Sequence, residues 1–255
     1  MTDLSVIVIT KNEERNIEAC LESVRWAQEV IVVDGESTDS TVELARKYTQ
    51  NVFTKAWEGY GASKNFALDR CTGKWVLWLD ADERVTNELA GEIQVVVKQG
   101  VDSHQVYEIP RKAFFLGKWI KHSGWYPGHV ARLFKRGSGR FSTNKVHERF
   151  EFDGKPGRLR SDLLHYTDPN LFHYFEKFNN YTSLAADEMH DGENTFRITQ
   201  LLIRPWWVFI RMYILKFGFL DGIQGFILSV LSACYVFTKY AKLWELSSDS
   251  KRSKT

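Results

Sequence analysis

The chain has 255 residues, 44% of them hydrophobic and 26% charged, with nine Trp and seventeen Phe. That length suffices for one substantial core and is short for two full domains. The net charge of +2 hides an asymmetry: residues 201–255 carry eight basic side chains against three acidic ones, and a basic aromatic tail behind an acidic front argues against a nucleic-acid partner and for a membrane surface.

The run Leu4-Ser5-Val6-Ile7-Val8-Ile9 is continuous enough for a strand buried on both faces. No basic n-region or cleavage site precedes it, so no signal peptide is expected. Cys20, Cys71 and Cys234 are widely spaced, odd in number and in no metal-ligand pattern, which argues for free thiols in a reducing compartment. Ile17, Leu21 and Val24 recur at helical spacing, with Trp26 near that helix's end. Val30-Ile31-Val32-Val33 reads as a second strand, ended by Asp34-Gly35. Ser40 with Glu43 reads as a capping box for the next helix. Val52-Phe53 is a weak third strand, residues 60–70 form a helix, and Trp75 to Leu79 is another buried strand. This alternation predicts an α/β fold, a doubly wound and mostly parallel sheet with helices on both faces and ligands at the carboxyl ends of its strands.

Beyond residue 86 the pattern loosens. A helix is expected from Glu88 to Lys98 and strands over 104–116 and 130–135. The intervening 117–129 is rich in Gly, Trp, Tyr and His and reads as a working loop, with Trp125 and His129 as candidate contacts to a substrate. Residues 170–190 and 196–243 read as helical, and 246–255 as a frayed polar tail.

The sharpest chemical signal is Val76-Leu77-Trp78-Leu79-Asp80-Ala81-Asp82-Glu83, an apolar strand running into two carboxylates. Such acids are costly to hold together without positive charge between them, and Mg²⁺ or Mn²⁺ bridging phosphates suits their hard oxygens. Asp80 and Asp82 are therefore candidate metal-diphosphate ligands, and Glu83 either supports them or merely starts the next element. His165 is a candidate third ligand, although a lone histidine is more often a hydrogen-bonded core residue. The turn Thr10-Lys11-Asn12-Glu13-Glu14 can reach a base or ribose, or simply cap a helix through Thr10 or Asn12. In Asp34-Gly35-Glu36-Ser37-Thr38-Asp39 the acid ending a buried strand can accept hydrogen bonds from a nucleotide while glycine lets the backbone approach; the alternative is again a capped turn. Lys64, after Gly59-Tyr60-Gly61, can meet a phosphate as a point charge or stand solvated. If a sugar is transferred with inversion, the acceptor hydroxyl needs a proton acceptor; Glu148 is the candidate, with His147 orienting it or touching the donor, and Asp187 or Glu188 in reserve. A Glu–Arg neighbour pair such as Glu148-Arg149 is otherwise a surface ion pair.

Taken in order, Ser5-Val6-Ile7-Val8-Ile9-Thr10-Lys11-Asn12-Glu13, Val32-Val33-Asp34-Gly35-Glu36-Ser37-Thr38-Asp39-Ser40-Thr41 and Leu79-Asp80-Ala81-Asp82-Glu83 resemble the inverting glycosyltransferases of family 2, with the GT-A fold. Ala62-Ser63-Lys64-Asn65, Val146-His147-Glu148, Leu164-His165-Tyr166-Thr167-Asp168, Tyr181-Thr182-Ser183-Leu184-Ala185-Ala186 and Gly218-Phe219-Leu220-Asp221-Gly222 make the chain similar to lipopolysaccharide-core β-1,4-glucosyltransferases of the WaaE kind. The resemblance implies a UDP-sugar donor, UDP-glucose, and a lipid-linked or lipopolysaccharide inner-core acceptor. It implies that Asp34 contacts the uridine beside Thr10, Asn12 and Glu13, that Lys64 lies near the phosphates, and that Asp80 and Asp82 hold the ribose and the metal. It makes Glu148 the base, here in a His-Glu pair where Glu-Asp is common in the family. The expected organisation is a GT-A domain over 1–200 (nucleotide-binding half 1–85, acceptor half 86–200), a helical membrane-associating extension over 201–245, and the polar tail.

Arg204-Pro205-Trp206-Trp207 opens one helical segment of that extension and Asp221-Gly222 a second, whose uncharged stretch from Gly222 to Thr238 is at the lower edge of a bilayer span. Its aromatic and basic flanks fit a helix lying in the interface, placing the protein on the cytoplasmic face of the inner membrane; an aromatic cap on the sheet or an oligomer contact is the alternative. Two other readings compete with a glycosyltransferase. A nucleotidyltransferase also uses acids and a divalent ion, but its Gly-rich basic loop is missing after the first strand; a non-catalytic adaptor has no reason to keep both the acid pair and a base.

Overall fold

The computed structural model describes residues 3–56, 58–99, 104–142, 149–192 and 196–252. The chain divides into two compact units, Met1–Lys112 with Gly128–His165, and Ala113–Pro127 with Tyr166–Thr255.

The first unit begins β1 (Leu4–Thr10), α1 (Ile17–Glu22), β2 (Glu29–Asp34), α2 (Thr41–Arg46), β3 (Val52–Thr54), α3 (Tyr60–Leu68) and β4 (Trp75–Asp80). It continues with β5 (Glu83–Val85), α4 (Asn87–Gln99), β6 (Val106–Ile109) and β7 (Arg111–Phe115), which leads into β8 (Lys118–Trp119) of the second unit. The chain then returns through β9 (Val130–Lys135), β10 (Gly139–Phe141), β11 (Phe150–Phe152), β12 (Gly157–Arg158) and β13 (Leu163–Asp168). The main sheet has the order β12-β6-β9-β4-β1-β2-β3. Strands β4, β1, β2 and β3 are mutually parallel, as strand–helix alternation requires. Strand β9 runs antiparallel to both β4 and β6, so the whole sheet is mixed.

Every residue of β1 is buried. Val6 and Val8 pack on one face with Ile17, Leu21 and Val24 of the α1 region and with Leu89 and Ile93 of α4. Ile7 and Ile9 pack on the other with Ala67 and Leu68 of α3 and with Phe134, Phe141 and Phe150. A central strand covered on both faces has no polar side to show, which explains the unbroken apolar run. Truncating one of these leucines, isoleucines or phenylalanines to alanine costs about 2–5 kcal/mol through the cavity left behind. The turn into β4 presses on β1 so closely that a Cβ on Gly73 would stand 2.8 Å from the Ser5 nitrogen.

The capping box expected at α2 does not form: the Ser40 side chain makes no cap bond. Asp39 caps instead, its Oδ1 accepting the Thr41 N–H at 3.0 Å, while the Ser40 N–H is drawn to Glu14 Oε2 at 3.2 Å.

The second unit carries α5 (Leu171–Asp191), α6 (Ile198–Phe209), a π-helical turn (Ile210–Leu215), a 3-10 turn (Gly218–Asp221) and α7 (Gly222–Arg252). Phe217, in the left-handed region at φ 55°, ends the first helical stretch. Helix α7 runs past the expected fraying point at 246 to Arg252, because no Gly or Pro after Gly225 interrupts it. It is tied to α5 by Lys242, whose ammonium donates to Asn179 O, Asn179 Oδ1, Thr182 Oγ1 and Ser183 Oγ at 2.7–3.0 Å. Phe115, Ile120, Met212 and Leu228 form one core cluster of the second unit, with Trp125 packed against them, and Ala186, Tyr240 and Leu243 form another. The loop expected to work at 117–129 is pinned by buried Asp221, which accepts the N–H groups of Lys121 at 3.1 Å and His122 at 2.9 Å. Of the large apolar side chains exposed among the described residues, all but Val95 lie in this unit.

Candidate functional site

The acid pair sits where a central strand ends. Strand β4 pairs with β1 in parallel up to Ile9↔Asp80, so the sheet delivers Asp80 to the edge formed by the carboxyl ends of its strands. The chain then folds back into β5, and Glu83 Oε2 accepts the Asp80 N–H at 3.0 Å. Strand β5 pairs antiparallel with β13, setting His165 opposite Glu83. From there the His165 Nε2 reaches Asp82 Oδ2 at 3.3 Å.

A buried cation gathers the other two acids. Arg132 of β9, 1% exposed, directs Nη2 to Asp80 Oδ2 at 2.7 Å and to Glu83 Oε1 at 2.5 Å. Its guanidinium carbon lies 3.3 Å from the Trp78 ring centroid. The Lys64 ammonium lies 3.8 Å from the same centroid and 3.9 Å from Asp80 Oδ1. Such cation–π contacts contribute up to about 2 kcal/mol when desolvated. Burial pushes the Asp80 carboxyl up, but Arg132 and Lys64 outweigh it and hold Asp80 well below the usual carboxylate range. Glu83 ends higher than an ordinary glutamate: its burial, with the negative Asp80 beside it, prevails over the pull of Arg132. Burial alone would lower the Arg132 pKa, and the two acids raise it above its ordinary value. Asp80 is therefore an ionised acceptor at neutral pH, while the Asp82 carboxylate, 7% exposed, faces an imidazole.

The first two turns are stitched together. The Asn12 N–H donates to Ser37 Oγ and Asn12 Oδ1 accepts from the Thr38 N–H, both at 2.8 Å. The Glu13 N–H donates to Thr41 Oγ1 at 2.8 Å and the Glu14 N–H to Asp39 Oδ2 at 3.2 Å. Asp34, 1% exposed, accepts the Ser37 N–H at 2.9 Å and also its hydroxyl. Thr10 Oγ1 is buried without a hydrogen-bond partner. Lys64 is buried, not solvated.

Thr10, Asn12, Glu13, Asp34, Lys64, Asp80, Asp82 and His165 thus all fall in the first unit, with Asp80, Asp82 and His165 brought together at one strand end. His129 lies in that unit just before β9, whereas Trp125 packs in the apolar core of the second. Asp187 and Glu188 are on α5 of the second unit. His147 and Glu148 lie outside the described residues. Sequence reasoning missed Arg132. The available signal was an arginine amid Val130, Ala131, Leu133 and Phe134, since a cation inside a buried strand needs acids to meet it.

The model of the family described as "Glycosyl transferase family 2" matches residues 5–153. A Rhizobium meliloti protein named lipopolysaccharide core biosynthesis glycosyltransferase LpsC is 30% identical, over 95% of this chain and 92% of its own length. An uncharacterized glycosyltransferase of Rickettsia typhi is 31% identical, over 98% of this chain and 90% of its own. Among solved structures, a mannosyltransferase of Pyrobaculum calidifontis in complex with GDP-Man and Mn²⁺ superposes with a TM-score of 0.56 at 14% identity, covering 95% of this chain and 87% of that one. The match spans the strands that carry the acid pair and most of the chain besides: the protein belongs to glycosyl transferase family 2 and is a glycosyltransferase with a GT-A-type mixed α/β fold.

Proposed function

We propose that the protein is a metal-dependent inverting glycosyltransferase that moves a hexose, glucose from UDP-glucose, onto a membrane-linked glycan acceptor of the lipopolysaccharide inner-core type. The observation that carries this reading is the ionised Asp80 beside the Asp82–His165 pair at the carboxyl end of β4 in a family 2 chain. The name of the Rhizobium meliloti relative supports the acceptor class, and UDP-glucose follows from the sequence resemblance.

Asp82 and His165 suit Mg²⁺ or Mn²⁺. Among the described residues no three His, Cys, Asp or Glu side chains cluster as a closed metal site, and Mg²⁺ in nucleotide enzymes takes one or two protein ligands, completing its shell with phosphate and water. The Asp82 carboxylate and the His165 imidazole, 3.3 Å apart, would hold the ion. The ion's chemistry is that of a Lewis acid, neutralising charge that grows on the departing diphosphate.

Within this reading Arg132 and Lys64 keep Asp80 ionised so that it accepts a ribose hydroxyl, and Asp34 accepts from the uridine. The acceptor oxygen attacks the anomeric carbon from the face opposite the diphosphate, through an oxocarbenium-like state of the kind glycosidases use. Glu148 takes the acceptor's proton. The second unit attaches the enzyme to the cytoplasmic face of the inner membrane. Gly218–Ser248 is long and apolar enough to cross a bilayer, but its helix packs through Leu228, Tyr240 and Leu243 and is bonded to α5 by Lys242, which favours lying on the surface. Screening nucleotide sugars with Mn²⁺ for donor hydrolysis and thermal stabilisation tests the assignment. Selective turnover of UDP-glucose is expected; indifference to every nucleotide sugar rejects the function.

A further inference from the structure

The second unit holds two cations around one tyrosine. The Arg204 guanidinium of α6 donates from Nη1 to the Tyr240 hydroxyl, and its carbon lies 5.2 Å from the Tyr240 ring centroid. The Lys239 ammonium of α7 lies 5.2 Å from the same centroid. Tyr240 is 3% exposed and fixed in the core between these helices, so its ring and hydroxyl set where both cations stand. Among the described residues no carboxylate pairs with either cation. A guanidinium has five N–H donors, and among the described residues Arg204 uses one, in its bond to Tyr240. Burial and then the Arg204 charge push the Lys239 pKa down.

The surroundings say which anion. Residues 198–217 contain Arg204, Arg211 and Lys216 and no Asp or Glu. Leu202, Ile203, Trp206 and Trp207, next to Arg204 in the sequence, are exposed, as are Phe237 and Trp244 on the helix that carries Lys239. A soluble anion has no use for such a rim, whereas indole rings and apolar side chains flanking cations match the depth profile of a bilayer surface.

We propose that Arg204 and Lys239, positioned by Tyr240, form a binding site for the phosphate headgroup of an anionic phospholipid. The proposal rests on the membrane attachment given above and names its lipid partner. The site gives the attached second unit a preferred lipid and a fixed point of contact, where apolar burial alone would bind any bilayer.

The test is co-sedimentation of the full chain with phosphatidylcholine vesicles, with and without phosphatidylglycerol, at one ionic strength. Wild type should prefer the anionic vesicles, and R204Q/K239Q should lose roughly thirty-fold in that partition, from the effect of two basic residues near a charged surface. The charge-matched control R25Q/K47Q, on exposed side chains of the first unit, should keep the preference, as should R204K/K239R. Equal loss in the control, or an unchanged R204Q/K239Q, overturns the headgroup site while leaving membrane attachment standing. Failure of wild type to sediment with either vesicle overturns both.

Discussion

Arg132 Nη2 stands 2.7 Å from Asp80 Oδ2, with the arginine drawn from a strand that runs antiparallel to the one ending in the aspartate. The same nitrogen serves Glu83, so one guanidinium is shared by two acids. Among the described residues, removing it leaves Asp80 with only Lys64 and Glu83 with only Arg111, each at 3.9 Å, and Arg132→Met is expected to destabilise the protein by about 3–5 kcal/mol, read from urea denaturation. Arg132→Lys, which keeps the charge on a shorter side chain, should fall between. A stability change within experimental error for Arg132→Met would mean the acids are solvated.

The same pair sets an acid sensitivity. In the unfolded chain Asp80 titrates near pH 3.9; in the fold, against the opposing effect of burial, Arg132 and Lys64 hold it well below that. A depressed carboxyl contributes stability that is complete above about pH 4 and is lost as the pH falls toward the folded value. Glu83, raised by burial, works with the opposite sign: its contribution is largest at low pH and is lost as the pH rises past its unfolded value. Asp80→Asn should therefore flatten the fall in urea midpoint between about pH 4 and pH 2, whereas Glu83→Gln should leave that fall in place. An undiminished fall in Asp80→Asn would place the sensitivity elsewhere.

His165 separates metal binding from folding. With its imidazole 3.3 Å from Asp82, His165→Ala should raise the Mn²⁺ concentration for half-maximal donor hydrolysis by about ten-fold or more, with the thermal midpoint little changed. A metal requirement identical to wild type would make His165 a packing residue.

The cysteines report on burial. Cys20 and Cys71 are buried and Cys234 is exposed. Burial, with Glu29 adding to it, pushes the Cys71 thiol up to about 12, and burial raises Cys20 well above its ordinary value too. A thiol reagent at neutral pH should modify Cys234 alone in the native protein and all three cysteines in urea. Rapid reaction of a second thiol in the native state would show that the sheet's packing is looser than described.

What could be read from the sequence was what local pattern encodes. The run through β1 needed burial on both faces, and the acids after β4 needed a strand end, and both followed from residues near one another. Asp39 capping α2 in place of Ser40 could not be read, because Asp39 is also held by the N–H of Glu14, far off in the chain. Arg132 was hidden for the same reason: its partners Asp80 and Glu83 come from another strand and turn. The long reach of α7 was underestimated because polar residues were taken for fraying, although Ser, Asp, Lys and Arg all continue a helix when no glycine or proline intervenes.

Asp82 would hold the metal at the end of β4. Donor hydrolysis of UDP-glucose should be compared in wild type and Asp82→Ala, with Mn²⁺ and then with excess chelator. Hydrolysis is expected in wild type with metal and in neither protein under chelation; Asp82→Ala should be inactive while its thermal midpoint shows it folded. Full activity of folded Asp82→Ala, or full wild-type activity in chelator, would contradict the account.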